Sequence, residues 1–361
     1  MKKRDTYCFV AGHSGGHVIP CITLAREHLA KRPQDHILFF TSTGTLDRQI
    51  TQYLDATQFT VVQLPITSCT SANPFKFALS VGKLIYAFFA SMWYLMHSHS
   101  KSVTSTGGIC TIPVAFAAYI MRIPVDIYEL NVLPGKTTYF LARMLRTLYC
   151  CFERTMDFVP HANCKKTGYP IRFFSEEQHS RADSCRMLGL DPEKKTLLIL
   201  GGSQGSVYIN TTIKKWISKN NINQLQIIHQ TGAYDTTDWH SFYAHHQIPA
   251  VVFPFNDNME QCYAAADVII CRSGAGTLFE VLYFHKPCIT IPLELYANAH
   301  QVHNAFTIAQ EYPELFQVFT QDVITQHPAL LGTTIMQLLG SPADSAQIPR
   351  IVKPADQMTT I

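Results

Sequence analysis

Twice along this chain a short apolar strand runs into a glycine turn and then into an amphipathic helix, and strand-like and helix-like stretches alternate after each restart. The first restart comprises residues 7–10, the turn Gly12-His13-Ser14-Gly15-Gly16-His17, and a helix expected to open at Pro20. Strand-like runs follow at 36–42, 61–66, 102–106, 125–130 and 147–152. The second restart comprises residues 196–200, the turn Gly201-Gly202-Ser203-Gln204-Gly205 and a helix, with further strands expected at 226–230, 251–255, 267–271 and 288–292. Parallel strands need a crossover between them, so this alternation predicts an α/β chain with two doubly wound parallel sheets in series. At 361 residues one core stops growing efficiently, which agrees with two domains. The pattern breaks at Gly168-Tyr169-Pro170-Ile171-Arg172, ahead of a polar stretch, and divides the chain into 1–167, 168–340 and a tail, 341–361. Two such domains face to face would put both glycine loops on one interdomain cleft, beyond the carboxyl ends of the strands.

Composition narrows the function classes. A 47% hydrophobic content excludes a disordered chain, and a net charge of +3 gives no reason to expect a nucleic-acid partner. Charged residues make up only 15%, against about a quarter in an average soluble domain, so part of the surface is expected to be apolar enough to meet a membrane or a protein. The basic N-terminus has too short an apolar run for a signal peptide, and the chain is expected to stay in the cytosol. The eleven cysteines form no CxxC pair and read as reduced core residues. Among the sixteen histidines, His97 with His99 and His245 with His246 lack zinc-site spacing and read as solvated surface side chains; no metal is expected.

A glycine turn at a helix N-terminus offers amide donors and a positive dipole end, which suits a phosphate, although each loop alone equally fits a tight turn that lets helix pack on strand. Neither loop contains GxxxxGK[ST] or GxGxxG, and the strand at 36–42 ends in Thr41 and Ser42 with no acid for a nicotinamide ribose, which disfavours a dehydrogenase. In Cys271-Arg272-Ser273-Gly274-Ala275-Gly276-Thr277-Leu278-Phe279-Glu280 the glycines permit close backbone approach. Glu280 there could hold a ribose diol or serve as a charge partner for the helix start. The amide and imidazole groups of residues 299–305 suit sugar hydroxyls or a helix surface.

The segments GHSGGHVIP (12–20), TGGICTIP (106–113), YELNVLPGKT (128–137), GYPIR (168–172), GGSQGS (201–206), HQTG (229–232), RSGAGTLFE (272–280) and HQVHNA (300–305), in this order, resemble the MurG family. These are peptidoglycan glycosyltransferases that add N-acetylglucosamine to undecaprenyl-linked muramyl-pentapeptide to form lipid II. The resemblance implies the GT-B architecture, two Rossmann-like domains with the final helix returning to the first. It places UDP-N-acetylglucosamine in the second domain, with Glu280 on the ribose, Gly202, Ser203, Gln204 and Arg172 at the diphosphate, and Gln301 at the sugar. It places the lipid-linked acceptor in the first domain, with Gly107, Gly108 and Thr111 contacting it and Ser14, Gly15, Gly16, His17 and Asn131 at the cleft. It implies no cofactor and no metal, since amides and an arginine supply the charge stabilisation. Departures fall mostly on the acceptor side: Thr111 and Ile112 replace Ser and Gly of the family's GGYVSGP, Tyr128-Glu129-Leu130-Asn131 replaces HEQN, and Ala299 stands where Asp is frequent.

Transfer in such an enzyme has the acceptor's 4-hydroxyl attack the anomeric carbon as UDP departs, with inversion, and His17 is the expected general base; a cap or phosphate donor is its other reading. The run FKFALSVGKLIYAFFASMWYLMH (75–97), with Lys76, Lys83 and Lys101 around it, falls short of a spanning helix by its uncharged length. It reads either as a buried domain helix or as a surface dipping into an anionic membrane, and the lipid-linked acceptor favours the second. A peripheral location on the cytoplasmic face of the bacterial inner membrane follows, with other cell-wall enzymes as possible partners. Rival expectations are another GT-B UDP-sugar enzyme, including a UDP-N-acetylglucosamine 2-epimerase, and a non-catalytic UDP-sugar-binding protein.

Overall fold

The computed structural model describes residues 4–12, 14–66, 73–173, 180–202, 205–256, 258–294 and 299–340. The chain forms two compact units that divide between Phe174 and Ser175, so Gly168 through Arg172 stay with the first. The tail at 341–361 lies outside the described residues.

In the first unit the strands are β1 (Thr6–Val10), β2 (His36–Ser42), β3 (Phe59–Leu64), β4 (Val103–Ser105), β5 (Val125–Glu129), β6 (Thr147–Cys150) and β7 (Cys164–Lys166). They pair in the order β3-β2-β1-β4-β5-β6-β7, every pair parallel. The helices between them are α1 (Gly15–Lys31), α2 (Thr45–Thr51), α3 (Pro74–Ser98), α4 (Thr111–Ile120) and α5 (Lys136–Leu141). Helix α1 begins inside the glycine turn itself, earlier than Pro20, which is accommodated within the helix. Strand residues alternate between two cores: Cys8, Val10, Leu38 and Phe40 face one layer, Phe9, Ile37 and Phe39 the other. Burial of both faces explains why these strands are apolar throughout.

Asn73 starts α3 by accepting the Phe75 and Lys76 amides on its side chain at 3.0 and 3.3 Å, and Pro74 follows at the first helical position. His99 ends the helix in the left-handed region, φ 50°. At 25 residues α3 is longer than the uncharged run suggested, because its first turns include Lys76 and Lys83. By length and composition it could cross a bilayer. Its two halves differ. Ala87, Leu95 and the intervening Phe88, Ala90, Met92 and Tyr94 pack into the core, whereas no described side chain from Phe75 to Tyr86 is buried.

The second unit contains α6 (Arg181–Met187), β8 (Lys195–Leu200), α7 (Val207–Ile217), β9 (Leu225–Gln230), α8 (Trp239–His245), β10 (Ala250–Phe253), α9 (Glu260–Ala265), β11 (Val268–Cys271) and α10 (Ala275–Tyr283). It continues with β12 (Cys288–Thr290), α11 (Ala299–Glu311), β13 (Phe316–Val318), α12 (Gln321–Gln326) and α13 (Pro328–Leu338). Its sheet is parallel in the order β10-β9-β8-β11-β12-β13. Both sheets therefore reverse direction beside their first strand, between β1 and β4 and between β8 and β11, where an open parallel sheet leaves a crevice. The ten described cysteines are free thiols, and all except Cys164 are buried.

Candidate active site

In the first unit the loops after β1, β4 and β5 meet at the sheet's carboxyl end. A side chain on Gly108, whose φ is +87°, would come within 2.7 Å of the Gly12 carbonyl, so these two loops interleave backbone on backbone. Only glycine satisfies both the left-handed angle and the contact. Ser105 Oγ accepts the Gly107 amide at 2.9 Å and lies 2.7 Å from Thr111 Oγ1, which donates to the Gly107 carbonyl at 2.9 Å. Thr111 is fully buried with its hydroxyl committed to this latch. It shapes the Gly107-Gly108 loop, the segment that the resemblance puts at the acceptor.

The acid near Thr41 and Ser42 comes from a helix. Asp47, buried in α2, accepts from Thr41 Oγ1 at 3.1 Å and from the Ser42 amide at 3.2 Å, tying the β2 end beneath Gly12. After β5, Glu129 performs the same service: its two oxygens accept the amides of Asn131 at 3.1 Å and Gly135 at 3.0 Å. Thr155 Oγ1 donates to the Asn131 carbonyl at 2.9 Å, so Asn131 is anchored from both sides of its peptide. Helix α1 has no acid in its first turn and no side-chain cap from Ser14. Its positive end, at Gly15 and Gly16, meets no acid of the helix's own first turn and suits an anion.

His17 sits in that first turn, partly exposed. Its Nδ1 lies 2.7 Å from the Thr106 carbonyl, which can only accept, so Nδ1 carries the proton. In this tautomer the lone pair is on Nε2, for which no partner is found among the described residues. An imidazole in this state can take a proton from a hydroxyl.

In the second unit the glycine loop after β8 is as tightly set. A Cβ on Gly205, at φ +80°, would lie 2.4 Å from the Thr231 carbonyl, and one on Gly201 would lie 2.4 Å from the Ser206 amide. Gly202 is also left-handed, at φ +85°, but has open space around it. Ser203 and Gln204, expected at the diphosphate, lie outside the described residues. Ser206 caps α7 by accepting the Ile209 amide at 3.3 Å, and it also accepts from Arg272 Nε at 3.0 Å. Arg272, at the end of β11, donates further to the Ile291 and Pro292 carbonyls at 3.1 and 3.0 Å. This buried guanidinium joins the ends of β8, β11 and β12 through neutral acceptors, and burial pulls its pKa down from the usual arginine value. The sequence reading gave it no role; its position one residue past β11, at the reversal point, was the available signal.

His229 holds the next strand end. Its Nδ1 faces the Tyr243 hydroxyl at 2.9 Å and its Nε2 faces Asn210 Oδ1 at 3.2 Å. Asn210 in turn donates to the Thr231 carbonyl at 2.9 Å and to Asp235 at 2.6 Å. Burial, against the weaker pull of Asp235, drives the His229 pKa down to about 3 and keeps the ring neutral. Glu280 is buried in α10 beyond its first turn, which removes the helix-start reading, and it accepts from the Tyr263 hydroxyl at 2.8 Å. Gln301, in the first turn of α11, accepts the Leu293 amide at 3.0 Å and is thereby fixed at the end of β12. Arg172 lies in the first unit, its guanidinium 5.4 Å from the Phe173 ring centre. Among the described residues no cluster of three or more His, Cys, Asp or Glu side chains could hold a metal ion.

Two parallel-sheet units, each with a glycine loop opening a helix beside its reversal point, define a two-domain protein of GT-B fold. Residues 7–150 match the glycosyltransferase family 28 N-terminal domain and residues 196–327 the family 28 C-terminal domain. The UDP-N-acetylglucosamine–N-acetylmuramyl-(pentapeptide) pyrophosphoryl-undecaprenol N-acetylglucosamine transferase of Protochlamydia amoebophila is 32% identical over 84% of this chain and 80% of its own. The enzyme of the same name from Geobacter sulfurreducens is 31% identical over 92% and 89%. The chain belongs to this family of transferases, the MurG family. In fold it is similar to the crystal structure of Acinetobacter baumannii MurG, with a TM-score of 0.70 at 24% identity over 93% of this chain and 92% of that one. A UDP-N-acetylglucosamine 2-epimerase shares the fold at a TM-score of 0.59 and 12% identity, covering 95% and 92%.

Proposed function

We propose that this chain transfers N-acetylglucosamine from UDP-N-acetylglucosamine to the 4-hydroxyl of undecaprenyl-diphospho-N-acetylmuramoyl-pentapeptide, with inversion, in peptidoglycan synthesis. The names of its relatives supply the substrates, and the observation that carries the chemistry is His17 Nδ1 at 2.7 Å from the Thr106 carbonyl, which assigns the proton to Nδ1 and leaves the lone pair on Nε2. The acceptor oxygen forms its bond to the anomeric carbon, and the bond from that carbon to the UDP oxygen breaks. UDP leaves with the electron pair, and the hydroxyl proton passes to His17 Nε2. Gly15, Gly16, Gly107 and Gly108 bind the acceptor's diphosphate. In the second unit Glu280 holds the ribose, Gln301 the sugar, and the Gly201–Ser206 loop, stiffened by Arg272, the diphosphate of the donor; developing charge on UDP is met by fixed amides and dipoles.

The exposed first half of α3, with Lys76 and Lys83, rests on the cytoplasmic face of the inner membrane, where the lipid-linked acceptor lies. Vesicles containing anionic lipid should float the purified chain, and Phe75→Ser with Phe77→Ser, both exposed in that half of the helix, should weaken that binding; a chain that stays in the dense fraction refutes the membrane role. For the reaction, radiolabelled UDP-N-acetylglucosamine is incubated with the lipid-linked muramyl-pentapeptide in detergent. One disaccharide-lipid per UDP released is expected, with or without EDTA. Conversion of the UDP-sugar without acceptor would instead mark an epimerase, and donor binding without UDP release a non-catalytic protein.

A further inference from the structure

The bonds around His17 are reciprocal, and both run to one residue. His17 Nδ1 donates to the Thr106 carbonyl at 2.7 Å, and Thr106 Oγ1 donates to the His17 carbonyl at 2.7 Å. Thr106 is itself buried and is the first residue past β4, the strand that pairs with β1 across the reversal point. The third wall is Gly107. A Cβ there would lie 3.4 Å from His17 Cε1, so the ring packs directly on the glycine backbone at φ +96°.

We infer that Thr106 is a positioning residue that fixes the tautomer and the orientation of His17. Resting on His17 as the base, the inference assigns the orienting function that a carboxylate fills in a serine-protease triad to a backbone carbonyl. A carbonyl admits only a donor on Nδ1, so it excludes the tautomer in which Nε2 would be protonated and inert as a base. When Nε2 takes the acceptor's proton, the bond from Nδ1 becomes charge-assisted and strengthens at the step that needs it. The hydroxyl of Thr106 does the second half of the work. It ties the main chain of the first turn of α1 to the same loop, so that ring and carbonyl keep their register although they stand 89 positions apart in sequence. Loss of that hydroxyl leaves the carbonyl in place and loosens its alignment.

Two measurements test this on the full chain. Nitrogen-15 correlation spectra of histidine-labelled protein above the titration range should show His17 as the Nδ1–H tautomer; an Nε2–H tautomer overturns the inference whatever the kinetics. Thr106→Val, which keeps the side-chain shape, should lower kcat by about tenfold while leaving KM for UDP-N-acetylglucosamine unchanged, and Thr106→Ser should restore kcat. Wild-type kcat in a folded Thr106→Val protein overturns the clamp. Should His17→Ala turn over normally, the base assignment falls instead, and the tautomer spectrum alone then decides whether Thr106 orients the ring.

Discussion

His17 in the first unit and His229 in the second are both held at the carboxyl end of a parallel sheet, one in the first turn of α1 and the other next to the last residue of β9. Their settings are opposite. His17 is partly exposed, with Nδ1 bound to a carbonyl and no described partner on Nε2. His229 is fully buried, with Tyr243 on one nitrogen and Asn210 on the other. One ring is oriented with a nitrogen left for chemistry, and the other is a neutral cross-link that no proton reaches near neutrality. The surrounding loops follow the same division: the first unit's are latched by hydroxyls and carboxylates around an open imidazole, and the second unit's by a buried guanidinium and a closed network.

The contrast can be broken most decisively at His17. His17→Ala should lower kcat by about a hundred- to ten-thousandfold with KM for the UDP-sugar unchanged, measured in the detergent assay. A variant with near wild-type turnover would place the two histidines in the same class. The next largest effect should come from Gly205→Ala, which forces a side chain onto the Thr231 carbonyl at a left-handed φ. Urea denaturation should show a loss of about 3 kcal/mol from strain and overpacking together. Gly202→Ala, equally left-handed but in open space, should lose only about 1 kcal/mol. Equal losses would mean that contact with the β9 end does not tighten the donor loop.

His229→Leu should cost about 2 kcal/mol at pH 7 by leaving Tyr243 and Asn210 unpaired. It also carries a pH signature. The folded pKa of about 3 lies below the ordinary 6.5, so the unfolded chain takes up a proton first as pH falls. This group's contribution is therefore complete above about pH 6.5 and is lost progressively down to about pH 3, by about 1.4 kcal/mol per pH unit. Urea midpoints at pH 7 and pH 5 should converge between wild type and His229→Leu; a parallel pH dependence in the two proteins would show that His229 is not a closed, neutral ring.

Most of the architecture was legible from local pattern. Eleven strands were expected within a few residues of β1–β6 and β8–β12, because a doubly covered strand must be apolar and its turns must carry glycine. Two edge strands, β7 and β13, were missed: Cys164-Lys165-Lys166 has no buried residue, and Phe316-Gln317-Val318 has two buried residues, too few to mark a period. Site residues divided along similar lines. Glycines demanded by left-handed angles, Gly107, Gly108, Gly202 and Gly205, announced themselves in the sequence. The latch at Thr111 was not legible, because its hydroxyl partners, Ser105 and the Gly107 carbonyl, become visible only once the loop closes. Arg272 passed without a role because three acceptors from separate strand ends give a buried cation its purpose.

The sequence by itself determined the order of elements, the two glycine loops and the family, since these depend on backbone angles and on burial periods that a few neighbouring residues encode. The tertiary structure alone decided which histidine keeps a nitrogen open, which hydroxyl is committed, and which half of α3 is left outside the core. Those outcomes depend on Thr106 meeting His17, Tyr243 meeting His229 and only the second half of α3 packing into the core. A parallel sheet with crossover helices brings such residues together at its carboxyl edge from far along the chain, where no local pattern records the meeting.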